Sequence, residues 1–191
     1  LQAIVIGGGV TGAGILRDLA LRGIKAALVE QGDLVHGTSS RYHGLLHSGG
    51  RYAVKDPESA RECAEENRIV RQIAPFAVEP CGGLFVRLEQ DDPAYARQWV
   101  TACRDAGIPV EEVDVDRLRR EEPLLSESVR EAYTVPDASV DGWRLVQGNV
   151  AAAEALGARV LTYRRVVGLL MDGPRVVGVR LRNLATGEEE R

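Results

Sequence analysis

Gly7-Gly8-Gly9-Val10-Thr11-Gly12-Ala13-Gly14 follows an apolar run, Ala3-Ile4-Val5-Ile6, and leads into Ile15, Leu16, Leu19 and Ala20 at helical spacing. The β-branched run reads as a buried parallel strand. The spaced apolar residues read as the sheet-facing side of a helix. Gly23 stands where a helix C-terminal glycine belongs, and Ala26-Ala27-Leu28-Val29 makes a second apolar strand that ends at Glu30. The pattern is Gly7-x-Gly9-x-x-Gly12 inside a strand–helix–strand unit, with an acid 18 residues after Gly12.

Each part of that pattern has a physical task. Gly7 permits the tight turn out of the strand, Gly9 lets a pyrophosphate approach the backbone, and Gly12 lets helix and strand pack closely. The helix N-terminus offers free N–H groups and a partial positive charge. Glu30 can accept hydrogen bonds from both ribose hydroxyls of an adenosine, charged bonds worth roughly 1.5–3 kcal/mol each. A bare glycine pattern also fits a glycine-rich turn in some other α/β protein. Strand, helix, second strand and terminal acid together point to a dinucleotide. The acid favours a free 2′-hydroxyl, hence FAD or NAD rather than NADP, and the fingerprint does not choose between those two.

Composition narrows the function classes. A chain of 191 residues holds one domain or a tight pair and buries roughly 70% of its unfolded surface without staples. The formal net charge of −4 gives no electrostatic case for nucleic acid or anionic lipid. Cys63, Cys81 and Cys103 are an odd set without Cys-x-x-Cys spacing, which reads as buried or inert reduced thiols in a cytoplasmic protein. No metal site is read. No apolar run reaches the length of a membrane span, and no signal peptide is visible.

The long polar connection from Gln31 to Gly50 is of the functional kind. Gly37-Thr38-Ser39-Ser40 supplies hydroxyls and backbone N–H groups close to the ribose-binding strand end. Arg41-Tyr42-His43-Gly44-Leu45-Leu46-His47-Ser48-Gly49-Gly50-Arg51-Tyr52 follows, a poor core and a plausible site. Asp56-Pro57 and Asp92-Pro93 each open a helix as N-cap and first-turn proline. Gly83 to Leu88 reads as a strand, Val110 to Val115 as another, and Asp116 to Glu122 as a short helix. Asp141 caps a helix running to Gly157, and Ala158 to Thr162 follows as the expected third strand of the nucleotide-binding sheet. Asp172-Gly173 and Thr186-Gly187 punctuate three β-rich pieces, Arg165 to Met171, Arg175 to Asn183 and a start after Gly187, giving an antiparallel meander.

The stretch from Gly37 to Tyr52 resembles the second flavin motif of FAD-dependent glycerol-3-phosphate dehydrogenases. The run through Asp56-Pro57-Glu58-Ser59-Ala60-Arg61-Glu62-Cys63, with Glu121-Glu122-Pro123 and Val135-Pro136-Asp137 … Val140-Asp141, is similar to the catalytic subunit of the anaerobic, quinone-linked type. The resemblance implies an α/β fold of the D-amino-acid-oxidase superfamily: a Rossmann-type FAD-binding domain with an inserted α+β substrate domain and an antiparallel β-meander. Residues 1–55 would be the first part of the FAD domain, 56–140 a partial substrate-domain insertion, and 141–191 a truncated continuation.

It also implies oxidation of sn-glycerol 3-phosphate to dihydroxyacetone phosphate, with hydride passing from C2 to flavin N5 and electrons onward to a quinone. Thr38, Ser39 and Ser40 would lie along the pyrophosphate, and the segment from His47 to Tyr52, preceded by Leu46, beside the isoalloxazine. Arg51 and Tyr52 would contact substrate, Arg51 suiting a phosphate bidentately. His47 is expected either to exchange a proton with the substrate hydroxyl or to position the flavin. Family members continue further, so this chain is expected to be the N-terminal part of a longer enzyme, holding FAD weakly or not at all and inactive alone. Partner subunits would link it to the inner face of the cell membrane, with no span of its own. Competing readings are an amine or amino-acid oxidase of the same superfamily, a non-catalytic FAD- or ADP-binding module and an NAD-dependent dehydrogenase. The NAD reading leaves Thr38 to Tyr52 unexplained.

Overall fold

In a computed structural model that describes residues 1–191, the chain begins β1 (Ala3–Ile6), α1 (Val10–Leu21), β2 (Ala26–Val29) and β3 (Leu45–Leu46). It continues through α2 (Pro57–Ile73), β4 (Val78–Glu79), β5 (Gly83–Leu88), α3 (Pro93–Asp105), β6 (Glu111–Val113) and α4 (Val115–Glu121). Then come β7 (Val129–Val135), β8 (Ala138–Val140), α5 (Gly142–Ala155), β9 (Arg159–Leu161), β10 (Arg164–Asp172), β11 (Arg175–Asn183) and β12 (Glu189–Glu190). These form two compact units, Leu1–His43 with Asp141–Arg191, and Gly44–Val140.

The first unit is built on a parallel sheet in the order β1-β2-β9, with β2 in the middle. Pleating splits its side chains between two cores. Val5, Ala26 and Leu28 pack with Ala13, Leu16 and Ala20 of α1 and Val146, Val150 and Ala153 of α5. Ile4, Val29 and Leu161 pack the other way, with Val166, Val179 and Leu181 of the antiparallel meander β10-β11-β12. Cover on both faces explains why all four residues of β2 are buried. One expectation for α1 is corrected. Ile15 is 47% exposed, and the buried face is Ala13, Leu16 and Ala20 with Leu19 partly packed. Successive positions on a helix are about 100° apart, so Ile15 lies to one side of the stripe that Leu16 centres.

The second unit holds an antiparallel sheet, β5-β7-β6, and a small one, β3-β8-β4. Its core gathers Ala53, Ala60, Trp99, Cys103, Ile108, Tyr133 and Val135, with Phe85 stacked on Trp99 at 4.6 Å between ring centroids. The Asp-Pro helix starts form as expected: Asp56 Oδ1 accepts from the Ser59 N–H at 3.1 Å, and Asp92 Oδ1 from the Ala94 N–H at 2.8 Å. The first unit ends at His43 rather than at residue 55. Leu45–Leu46 pair with Ser139 and Ala138 of β8, and the Gly44 carbonyl accepts the Val140 N–H, so the segment carrying His47 and Arg51 folds with the second unit.

Candidate functional site

The first unit assembles the glycine turn from three directions. Gly7 leaves β1 at φ +110, a backbone conformation closed to ordinary side chains, and its N–H donates to the Val29 carbonyl at 2.8 Å. Gly9 precedes α1, and a Cβ there would come within 2.8 Å of Ser39 Oγ. Gly12 packs on the turn itself: a Cβ there would run into the Gly7 carbonyl oxygen. Glu30, at the end of β2, accepts the Gly8 N–H on Oε2 at 2.7 Å and the Gly32 N–H on Oε1 at 2.8 Å. Each carboxylate oxygen keeps a second lone pair for a hydroxyl donor.

Thr38, Ser39 and Ser40 form a single 3-10 turn. Ser39 Oγ accepts the Val10 N–H at 3.0 Å, capping α1 from 29 residues away, while its own proton remains to be donated. Ser40 Oγ donates to the Gly37 carbonyl at 3.1 Å, and the Thr38 side chain is exposed. A residue the spacing did not flag completes the frame. Val35 is 2% exposed at φ +65, an outlier for a β-branched residue, and its N–H donates to the Gly8 carbonyl at 2.9 Å. Gly8 is thus held at its N–H by Glu30 and at its carbonyl by Val35.

The second unit carries Leu46, His47, Arg51 and Tyr52 on one short segment. Leu46 lies in β3 and is half-buried. The His47 and Tyr52 rings meet edge to face at 5.7 Å, and His47 Nδ1 is buried with no partner in the protein. Arg51 is exposed and, with Gly50 and Lys55, lines a 710 Å³ cavity floored by Phe85, Trp99 and Tyr133. Below it a charged chain runs across the sheet. Arg87 Nε donates to Glu131 Oε1 at 2.8 Å, and the Tyr133 hydroxyl donates to Glu131 Oε2 at 2.7 Å. That hydroxyl bond, and secondarily Arg87, hold the Glu131 carboxyl below its ordinary range. Burial first, then Glu131, push Tyr133 up to about 12.

Outside the expected set, Asn67, Arg71 and Asp137 all reach the Leu46–Ser48 stretch or the turn beside it. Of the cysteines, Cys103 is buried, Cys63 half-buried and Cys81 exposed, and burial raises the Cys103 thiol to about 11.

Comparison with known proteins draws these features together: residues 2–191 match the profile of the DAO group, the FAD dependent oxidoreductases. The chain belongs to the FAD dependent oxidoreductase family. Among curated relatives, the A1 subunit of the anaerobic glycerol-3-phosphate dehydrogenase of Haloferax volcanii is 50% identical over 180 residues, covering 94% of this chain and 31% of that protein. The corresponding subunit of the Escherichia coli enzyme is 49% identical over 189 residues, 99% of this chain and 35% of its own. Among solved structures, a glycerol-3-phosphate dehydrogenase from Bacillus halodurans complexed with FAD is similar at a TM-score of 0.72 and 28% identity, over 100% of this chain and 32% of that one. The chain therefore spans about a third of the length of the curated relatives it matches.

The residues present fit the family's cofactor. The first unit offers a glycine cradle that a Cβ at position 9 would fill and a helix N-terminus whose early N–H groups have no intrahelical acceptor. It adds a hydroxyl proton on Ser39 and lone pairs on Glu30.

Proposed function

We propose that this chain supplies the adenosine- and pyrophosphate-binding part, together with the His47–Tyr52 segment, of an FAD-linked dehydrogenase that oxidises sn-glycerol 3-phosphate to dihydroxyacetone phosphate. The observation that carries the reading is the 49–50% identity to the A and A1 subunits of anaerobic glycerol-3-phosphate dehydrogenases over 94–99% of this chain. The geometry supports it residue by residue. Glu30 receives the ribose hydroxyls on its remaining lone pairs. Gly7 and Gly9 leave the pyrophosphate room at the start of α1, which Gly12 lets pack on the turn, and Thr38 and Ser39 donate to its oxygens while Ser40 braces their turn through the Gly37 carbonyl.

FAD supplies the hydride acceptor when bound. Leu46 and His47 border the flavin, and His47, whose buried Nδ1 has no partner in the protein, either exchanges a proton with the substrate hydroxyl or positions the flavin. Arg51 pairs with the substrate phosphate, and Tyr52 packs beside it. A guanidinium also pairs with a carboxylate, so the choice of glycerol phosphate over an amino acid rests on the identity and not on Arg51 alone. Electrons leave for a quinone through partner subunits, which bring the enzyme to the inner face of the cell membrane. No helix of this chain is long and apolar enough to cross one.

The test is an anaerobic titration of the intact flavoprotein. Glycerol 3-phosphate should bleach the visible flavin band, and an amino-acid panel should leave it unchanged. The reverse pattern would reject the substrate assignment.

A further inference from the structure

Two buried polar side chains of the second unit, Asn67 and Asp137, converge on one stretch of backbone, and a half-buried arginine, Arg71, holds the turn beside it. Asn67 is 5% exposed on the inner face of α2, and its Nδ2 donates to the Leu46 carbonyl at 2.9 Å and the Pro136 carbonyl at 3.3 Å. One helical turn on, Arg71 Nη2 donates to the carbonyls of Pro136 and Asp137, both at 2.9 Å. Asp137 is 6% exposed, and its Oδ1 accepts the Ser48 N–H at 2.6 Å, across 89 residues of sequence. Trp99 Nε1 donates to the Gly50 carbonyl at 2.7 Å. Every second residue of the stretch, Leu46, Ser48 and Gly50, is thus gripped by its backbone.

The surroundings are shaped around the same grip. A Cβ on Gly83 would come within 2.6 Å of Asp137 Oδ2, so the start of β5 leaves room for the carboxylate. Gly49 sits at φ +95 against Ala60, a place and a conformation that admit no side chain. A cluster of this kind is a poor way to gain stability, since well-packed apolar side chains would serve as well or better. What it supplies is a fixed backbone path, with His47 within it and Arg51 directly after it.

We infer that Asp137 and Asn67, which clamp the Leu46–Ser48 backbone, and Arg71, which holds the turn carrying Asp137, are positioning residues that aim His47 and Arg51. The inference rests on the proposed roles of those two side chains. A side chain mis-aimed by an ångström can lose about a hundredfold in rate, so a clamp of this kind acts on chemistry as well as folding.

The test uses the intact protein with Asp137→Ala, Asp137→Asn, Asn67→Leu and Arg71→Lys. Amide exchange in the FAD-free protein reads the clamp directly. At Ser48–Tyr52 it should quicken at least tenfold in Asp137→Ala and Asn67→Leu, with β5 and β7 unchanged. In the FAD-loaded protein, the rate of flavin reduction per bound FAD at saturating glycerol 3-phosphate should fall at least tenfold in the same variants, while KM moves less. Asp137→Asn, which keeps a carbonyl acceptor for the Ser48 N–H, and Arg71→Lys should recover most of the rate. Unchanged exchange overturns the inference. So does faster exchange with a per-FAD rate within twofold of the wild type, which would make the cluster structural only. If glycerol 3-phosphate does not reduce the wild-type flavin, the functional reading fails, and the clamp is judged on the visible band of bound FAD. A displaced band in Asp137→Ala supports the clamp, and an undisplaced one overturns it. Should Asp137→Ala not fold, Asn67→Leu carries the same comparison, with Asp137→Asn and Arg71→Lys as the conservative controls.

Discussion

Gly12 and Gly14 lie close together at the start of α1, and adding a methyl to each should move stability in opposite directions. In Gly12→Ala the new Cβ would collide with the Gly7 carbonyl oxygen and lie 3.1 Å from the Gly7 carbonyl carbon and 3.4 Å from Val5 Cγ1. The obstacle is backbone, and that backbone is pinned by the Gly7 N–H bond to Val29 and the Gly8 bonds to Glu30 and Val35. Relief requires α1 to lift from the turn. Overpacking of this kind costs about 1–3 kcal/mol, and a backbone obstacle belongs at the upper end. Gly14 has nothing within 4 Å of its Cβ position and an ordinary helical backbone. Gly14→Ala should therefore stabilise by about 0.5–1 kcal/mol, the usual gain in a helix interior. At about 2–4 °C per kcal/mol for a chain of this size, Gly12→Ala should melt about 6–12 °C below wild type and Gly14→Ala about 1–4 °C above it. Thermal unfolding followed by far-UV circular dichroism reads both, and FAD titration of the intact protein should show weakened binding in Gly12→Ala alone. Equal melting temperatures for Gly12→Ala and wild type would refute the close approach of α1 to the turn.

Other consequences follow from the same contacts. Glu30→Gln turns one N–H acceptor into a donor facing either the Gly8 or the Gly32 N–H, and should cost about 1–3 kcal/mol in chemical denaturation even without cofactor. Glu131 has a lowered pKa when folded. Its contribution to stability is in place above the ordinary glutamate value of about 4.3 and is lost as pH falls through the lowered folded value. Glu131→Gln should flatten that acid limb in urea melts taken across pH. Tyr133, raised to about 12, contributes stability that is intact below about 10 and lost as pH rises through 12. An ultraviolet titration should find one tyrosine ionising late, and Glu131→Gln should bring it earlier. A thiol reagent on the native protein should modify exposed Cys81 rapidly and leave buried Cys103, its thiol near 11, untouched until unfolding.

The parallel unit was legible in the sequence because its signals are local. Gly7 to Gly14 follows a β-branched run, Glu30 ends the next one, and the Asp-Pro pairs at 56 and 92 announce helices by their capping chemistry. The strand β7 was not legible. It is the central strand of its sheet yet carries Arg130 and Glu131, and Glu131 is tolerated there because it lies opposite Arg87 in the register of β5. The domain break at His43 was missed for a related reason, since the pairing of Leu45–Leu46 with β8 spans more than ninety residues. At the candidate site, motif spacing singled out the glycine turn and Glu30, and the family resemblance singled out the segments Thr38–Ser40 and Leu46–Tyr52. Those that hold the segments in place could not be found that way. Val35 acts through a backbone conformation its side chain disfavours, and Asp137 through a partner 89 residues away. Asn67 and Arg71 left a trace, two polar residues four apart on the face of α2 that also carries Ala60 and Ala64.

The proposed function is that of an FAD-linked dehydrogenase acting on glycerol 3-phosphate. The most direct measurement is the visible spectrum of the intact protein under anaerobic conditions, before and after that substrate is added. The expected result is a flavin spectrum that bleaches, with dihydroxyacetone phosphate formed in equal amount. A flavin that stays oxidised with glycerol 3-phosphate, or that bleaches with an amino acid instead, would contradict it.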